Sequence, residues 1–279
     1  MPYLSAMGLF RRNTKYRVVG PPTPALPGRE FTVTLHATRV REGTTIDTVH
    51  ADVECSGRKD VVPTQGEGLQ ASSVSSYCRV TRREIEVNRT LARPEDTVEL
   101  AVGLPWWTPV VRVGEHRLMG TLPRVEIGYG YGSADVETEE LPFHHALFAV
   151  AGELGWSYKR GEIWDVGGRK RPVEQRLWFA PGDGYEARGF QLAHVEVVPI
   201  ARSAESGDLR IAVFGRKLGP GLFPLGRLDA VPLTAEDPSA CVAAVRTGLT
   251  EVIGGASAPP GVELDGQVLE AVIRVLLRG

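Results

Sequence analysis

The sequence predicts a mainly β protein with one internal helix and a helical C-terminal tail. Three observations carry that reading. Gly (32) and Pro (20) recur between short apolar runs, the pattern of many strands joined by turns. Several of those runs alternate apolar and polar residues with period two, as half-buried strands do. Only two regions, 143–156 and the chain from 237 onward, switch to helical spacing.

Taken in order, PPTPALPG (21–28) is a Pro-rich lead-in ending in a turn. Phe31, Val33 and Leu35 then alternate with Thr32, Thr34 and His36. Ile46, Val49 and Val53, then Val74, Tyr77 and Val80, then Ile85 and Val87 mark further short strands. EDTVELAVGLP (95–105) is the clearest, closed by Gly103 and Pro105. VEIGYGYGS (125–133) reads as one strand that its glycines weaken or bulge. In FHHALFAVAGELGW, Phe143, Leu147, Val150 and Leu154 fall on one helical face, and Gly155 suits the C-cap. Strands resume at 163–166, 174–181, 193–200 and 209–216, with explicit turns at 167–171 and 181–184. Asp237-Pro238 is a natural N-cap and first helical residue. After it Val242, Val245, Leu249 and Val252 form a helical stripe, GGASAPPG (254–261) is a linker, and Val268, Leu269, Val272, Ile273 and Leu276 form a second stripe.

Composition narrows the function. Net charge is −2, with 17 basic and 18 acidic side chains in residues 1–140 and 15 and 16 in 141–279. Neither half is a basic nucleic-acid footprint. No run approaches the roughly 18 apolar residues of a membrane span, and the first residues hold no signal-peptide core, so a cytoplasmic protein is expected. Cys55, Cys78 and Cys241 have no metal-binding spacing; reduced thiols are expected, with Cys55 and Cys78 open to lying on neighbouring strands.

No catalytic constellation assembles. His144 and His145 are adjacent, so on a helix they point about 100° apart and cannot share a metal. Glu137, Glu139 and Glu140 read as helix-start electrostatics. GYGYG (128–132) lacks the Lys and Ser/Thr of a phosphate loop, and no GxSxG is present. No catalytic, cofactor-binding or metal-ligating residue is therefore expected. Arg169, Lys170 and Arg171 occupy a hairpin tip, a solvated turn or a contact for an anionic partner. Trp106-Trp107, read as extended chain, sends one indole inward and leaves the other, Trp107, as a candidate partner anchor.

Three stretches resemble the sporulation-control family SpoOM, bacterial relatives of the arrestin fold. These are LPGREFTVTLHA (26–37), LPWWTPVV (104–111) and, most specifically, PFHHALFAVAGELGWSYKRGEIWDVGGRKRPVEQRLWFAP (142–181). The match continues through FQLAHVEVVPI (190–200) and GLF (221–223) and spans about residues 16–234; the tail lies outside it. It departs from the family pattern around Val33 and at Trp107. The resemblance implies two arrestin-like β-sandwiches in tandem and a non-enzymatic role in control of sporulation or development.

The expected organisation is an N-terminal segment 1–14, a first sandwich 15–136, a second sandwich 137–236 opening with a helix, and a helical tail 237–279. The expected function is protein binding by exposed strand edges or loops. The partner-binding candidates are Trp107, Arg169, Lys170, Arg171, Leu269, Ile273 and Leu276, with a protein partner and neither nucleic acid nor cofactor. The alternative is a small-ligand protein or enzyme using an aromatic cleft near Trp106, Tyr129 and Tyr131. Membrane contact through Arg169–Arg171 and the tail is a third, weaker reading.

Overall fold

A computed structural model describes residues 16–38, 40–61, 72–91, 93, 95–128, 131–168, 171–182, 186–187, 190–216 and 222–255. Its first half holds nine strands: β1 (Tyr16–Val19), β2 (Glu30–Ala37), β3 (Thr45–Val61), β4 (Ser72–Thr90), β5 (Thr97–Gly103), β6 (Arg112–Val113), β7 (His116–Arg117), β8 (Arg124–Ile127) and β9 (Gly132–Asp135). The helix α1 (Pro142–Glu153) follows. The second half holds β10 (Ser157–Asp165), β11 (Val173–Ala180), β12 (Glu186–Ala187), β13 (Phe190–Ala201), β14 (Ser206–Arg216), β15 (Leu222–Thr234) and α2 (Pro238–Gly255).

The first half is a two-layer sandwich. One sheet runs β1-β2-β5; facing it, β3 pairs with β4 along one edge and with β8, then β9, on the other. Phe31, Val33 and Leu35 alternate inward as their spacing predicts, meeting Val53, Val80, Val98, Leu100, Val102 and Val125 in one apolar core. The short strands expected at 46–53 and at 74–87 are in fact two long ones, β3 and β4, with irregular registers that let the ladder bend. VEIGYGYGS is likewise not one strand. The strand breaks into β8 and β9, which pair antiparallel, with Gly132 at φ +121 where a side chain would strain.

β3 also carries the connection to the second half: Arg58 and Lys59 pair in parallel with Trp164 and Asp165 of β10. The sheet then continues antiparallel through β11, β13, β14 and β15. Among the described residues, the layer over the inner face of these strands is mainly helical, with Val113 and Leu118 of the β6–β7 hairpin region joining it. Leu147 and Val150 of α1 and Val242, Val245 and Leu249 of α2 share a core with Leu177, Phe179, Val195, Val197, Ile211 and Val213. The helix that opens the expected 237–279 tail is thus part of the core, and burying its apolar stripe against β15 stabilises both. Asp237 caps it as expected, Oδ1 accepting from Ala240 N at 3.1 Å. No described helix is long and apolar enough to cross a membrane.

The start of α1 locks the junction. The Leu141 N–H donates to His144 Nδ1 at 3.1 Å, a cap made by the buried His144. Burial holds the imidazole pKa down at about 4, so it stays a neutral acceptor. His145 instead faces outward, 3.0 Å from Glu140, whose other oxygen accepts from the Gly114 N–H in the β6–β7 turn.

Candidate functional site

Pro105–Thr108 is a turn rather than the extended segment expected. Thr108 donates to the Pro105 carbonyl from both its N–H (3.0 Å) and its hydroxyl (2.6 Å). The divergence of the two indoles survives in another form. Trp106 packs against the second core and over Gly28, while Trp107 packs half-buried against the first. Tyr131 also packs against the first core, on Tyr16 at 4.5 Å between ring centroids. Trp106 and Tyr131 thus serve different cores; Tyr129 lies outside the described residues.

Arg169 and Lys170, and with them Leu269, Ile273 and Leu276, also lie outside the described residues. Arg171 is described, and it is not a free cation on a turn. Its Nη2 sits 2.6 Å from Glu174 Oε1, at the rim of a polar network no sequence pattern announced.

That network occupies the outer face of β10, β11, β13 and β14. Strand alternation turns Leu177, Val197 and Ile211 into the helical core and their neighbours to the opposite side. The registers then line up rows across the sheet. Arg160, Trp178, Glu196 and Ala212 form one, Glu162 and Arg176 another, Trp164 and Glu174 a third, His194 and Phe214 a fourth. Glu174 is the hub, with Arg210 at 2.6 Å and Arg176 at 3.7 Å besides Arg171. Burial alone would raise its pKa, but the Arg210 and Arg171 guanidiniums outweigh that and hold it below the ordinary carboxylate range. Aromatic rings interleave: Arg176 lies over Trp164 at 4.8 Å, Arg160 over Trp178 at 5.2 Å, and Trp178 stacks beside Phe214 at 6.2 Å.

Glu196 is the exception in this network. It is 1 % exposed, its nearest cation is Arg176 Nε at 3.9 Å, and neither carboxyl oxygen has a hydrogen-bond partner among the described residues. Burial pushes its pKa up to about 7, with the Arg176 charge opposing and the Glu174 charge adding. This face thus sets guanidiniums and indoles around a carboxyl whose protonated form burial favours.

Two further features bear on reactivity. Cys55 and Cys78 are directly opposed partners on β3 and β4, both buried and free; burial pushes both thiols up, Cys78 to about 11. They are poor nucleophiles in this state. No group of three or more His, Cys, Asp or Glu among the described residues is placed to hold a metal ion. A second aromatic cluster, His116 stacked on Phe148 at 4.8 Å with Tyr158 at 5.6 Å from Phe148, pins the β6–β7 hairpin to α1 and β10. The Tyr158 hydroxyl donates to the Arg117 carbonyl there.

The outer-face residues could not have been found from spacing. Glu174, Arg176 and Trp178 alternate as any solvated strand face would, and only the tertiary structure shows that Glu174, Arg176 and Glu196 on this face are buried.

No family model matches the chain, and no curated protein matches its sequence. Among solved structures the chain is similar to Spo0M, a sporulation control protein from Bacillus subtilis. The TM-score is 0.58 and the identity 17 %, over 85 % of this chain and 98 % of that one. At that identity the likeness shows a shared, mainly β fold.

Proposed function

We propose that this chain is a non-enzymatic cytoplasmic adaptor, built as an arrestin-like tandem in which helices cover the second sheet, and that it binds a protein partner in developmental or stress control. The fold likeness to a sporulation control protein supports the biological setting. The observation that carries the binding mode is β4. It is 19 residues long and, among the described residues, hydrogen-bonds to another strand only through β3.

A strand with a free edge offers a row of backbone donors and acceptors to an incoming segment. Charged side chains along β4 keep that edge from pairing indiscriminately. Arg79, Arg82, Arg83, Glu84 and Glu86 are exposed, and Tyr77, 59 % exposed, is an aromatic anchor beside them. Mixed charge of this kind selects a partner by complementary pairing and suppresses the wrong ones. Nucleic acid is a poor fit to a face of both signs.

The test is recovery of the tagged chain from its host, beside the Glu84→Arg/Glu86→Arg double variant, with co-purifying proteins identified by mass spectrometry. A reproducible partner depleted at least about tenfold in the variant is expected, the loss of roughly 1.4 kcal/mol or more from several contacts. A chain that comes down alone, or a partner indifferent to the reversal, refutes the reading.

A further inference from the structure

Cys55 of β3 and Cys78 of β4 are register partners, so their side chains stand side by side on one face of the sheet. Both are free, both are buried, and both belong to the first core. Directly opposed residues of an antiparallel pair have Cα atoms about 4.5 or 5.5 Å apart, according to their place in the ladder. Either spacing falls within the roughly 4.4–6.8 Å that a disulfide spans. The sulfurs also lean across the ladder. Cys55 Sγ lies 3.7 Å from the Cys78 carbonyl oxygen. Cys78 Sγ stands over Gly57 of β3, 2.7 Å from where a Cβ would be, in room that only a glycine leaves.

We propose that Cys55 and Cys78 form a reversible cross-strand disulfide when a hydroperoxide oxidises them, and that this bond clamps β4 to β3. The chemistry balances with hydrogen peroxide as the oxidant. One sulfur bonds to a peroxide oxygen as the O–O bond breaks, giving a sulfenic acid and one water. The second sulfur then displaces the hydroxyl of the first. The S–S bond forms, and the second thiol's proton leaves with that hydroxyl as another water. Two thiols are thus oxidised while one peroxide is reduced to two waters. A small dithiol reverses the bond by exchange. Access follows from topology. Among the described residues β4 pairs with β3 alone, so local opening of that one ladder uncovers both sulfurs. Burial keeps both groups as thiols until then. Cys241 lies in the other core, on α2, and serves as an internal control.

The position of the bond gives it a consequence. The β3–β4 ladder runs from Thr45 opposite Thr90 to Val61 opposite Ser72, and the cysteines lie inside it. Next along β3, Arg58 and Lys59 make the parallel pairing to Trp164 and Asp165 of β10. Ile163 of β10 approaches the same Gly57 that Cys78 Sγ covers. A disulfide here ties the edge strand to the strand that joins the two halves. Reduced, β4 is free to open from β3 at this point; oxidised, a covalent loop through residues 55 and 78 holds it there. The strand is the one on which the adaptor reading relies, but the proposal does not rest on that reading, because its readouts need no partner.

The test treats the full folded chain with hydrogen peroxide, alkylates the remaining thiols in denaturant, and maps peptides of the monomer without reductant. A peptide carrying Cys55 linked to one carrying Cys78 is expected, about 2 Da lighter than the two thiol peptides together. It should exceed any link through Cys241 at least about tenfold, since that thiol has no opposed partner, and dithiothreitol should remove it. Cys55→Ser and Cys78→Ser should each abolish the link, and Cys241→Ser should leave it intact. Amide hydrogen exchange across β3 and β4 should slow several-fold in the oxidised parent and not in treated Cys78→Ser. Thiols that all survive peroxide, links only between molecules, links through Cys241, or sulfinic acid formed without any link would each overturn the proposal. So would a Cys55–Cys78 link that leaves exchange in β4 unchanged, because the clamp would then hold nothing.

Discussion

Gln175 clasps the backbone of Val110 from both sides. Its amide nitrogen donates to the Val110 carbonyl at 2.8 Å, and its own carbonyl accepts from the Val110 N–H at 3.1 Å. Both residues are buried, and they lie 65 positions apart in the chain. Val110 follows the Trp106-Trp107 turn and packs in the second core, and Gln175 sits near the start of β11. One side-chain amide thus does for a strandless segment what a neighbouring strand would do for a ladder.

That clasp yields the first prediction. Gln175→Ala strands a buried donor and a buried acceptor together, at about 1–3 kcal/mol each. The urea midpoint should fall by the equivalent of about 2–4 kcal/mol. Gln175→Glu keeps the acceptor and loses the donor, so it should also destabilise, and more so as pH rises and the carboxyl ionises. A Gln175→Ala protein as stable as the parent would show that the clasp contributes nothing.

His144 sets a pH window. Its folded pKa, about 4, lies below the unfolded value of 6.5, so the unfolded chain binds more protons between those limits. The stability this residue contributes is whole above pH 6.5 and is lost as pH falls toward 4. His144→Gln retains an acceptor for the Leu141 N–H but cannot titrate. Denaturation measured from pH 4 to 7 should show a shallower slope in the variant, and an unchanged slope would assign the titration elsewhere.

Glu196 acts with the opposite sign. Its folded pKa, about 7, lies above the unfolded value of 4.5, so here the native state binds more protons. Its contribution is favourable at low pH and is lost as pH rises from about 4.5 through 7. Glu196→Gln should stabilise the protein at pH 8 and leave it unchanged or weaker at pH 4. Because the two windows overlap, the single variants should steepen and flatten the profile in opposite directions, which a general charge effect would not do.

Gly28 tests the junction sterically. It lies at φ +78, and a Cβ there would come within 2.2 Å of the Trp106 ring. Gly28→Ala combines a left-handed backbone with overpacking, about 2–4 kcal/mol together. Loss of stability together with a shifted indole emission is expected. Stability lost with no change in emission would place the cost in the backbone alone.

Several elements were legible from residue pattern alone. The alternation in Phe31–Leu35 and Val98–Val102 gave two strands of the first sandwich. The stripe of Phe143, Leu147 and Val150 gave α1, and Asp237-Pro238 gave the start of α2. Each rests on a local signal, a periodicity or a cap, that the chain carries within a dozen residues. The resemblance over 142–181 pointed to the fold that the similarity to a sporulation control protein then supported. The length of β3 and β4 was not legible, because a bulge breaks the alternation without ending the ladder. Nor was β15, whose Pro224, Gly226 and Pro232 read as breakers yet pair along the sheet edge.

The sequence by itself determined the alternating strands at Phe31–Leu35 and Val98–Val102, the apolar stripes of α1 and α2, and which side chains are apolar. Tertiary structure alone decided three other matters. It made the helix from Asp237 core rather than tail, because the inner face of β11–β15 needed a second apolar layer. It brought Gln175 to Val110 and gathered Glu174, Arg171, Arg176 and Arg210 on one face. It also buried Glu196, so that its carboxyl holds a proton near neutral pH. Burial and charge pairing depend on which surfaces meet across tens of residues, and no window along the chain contains that information.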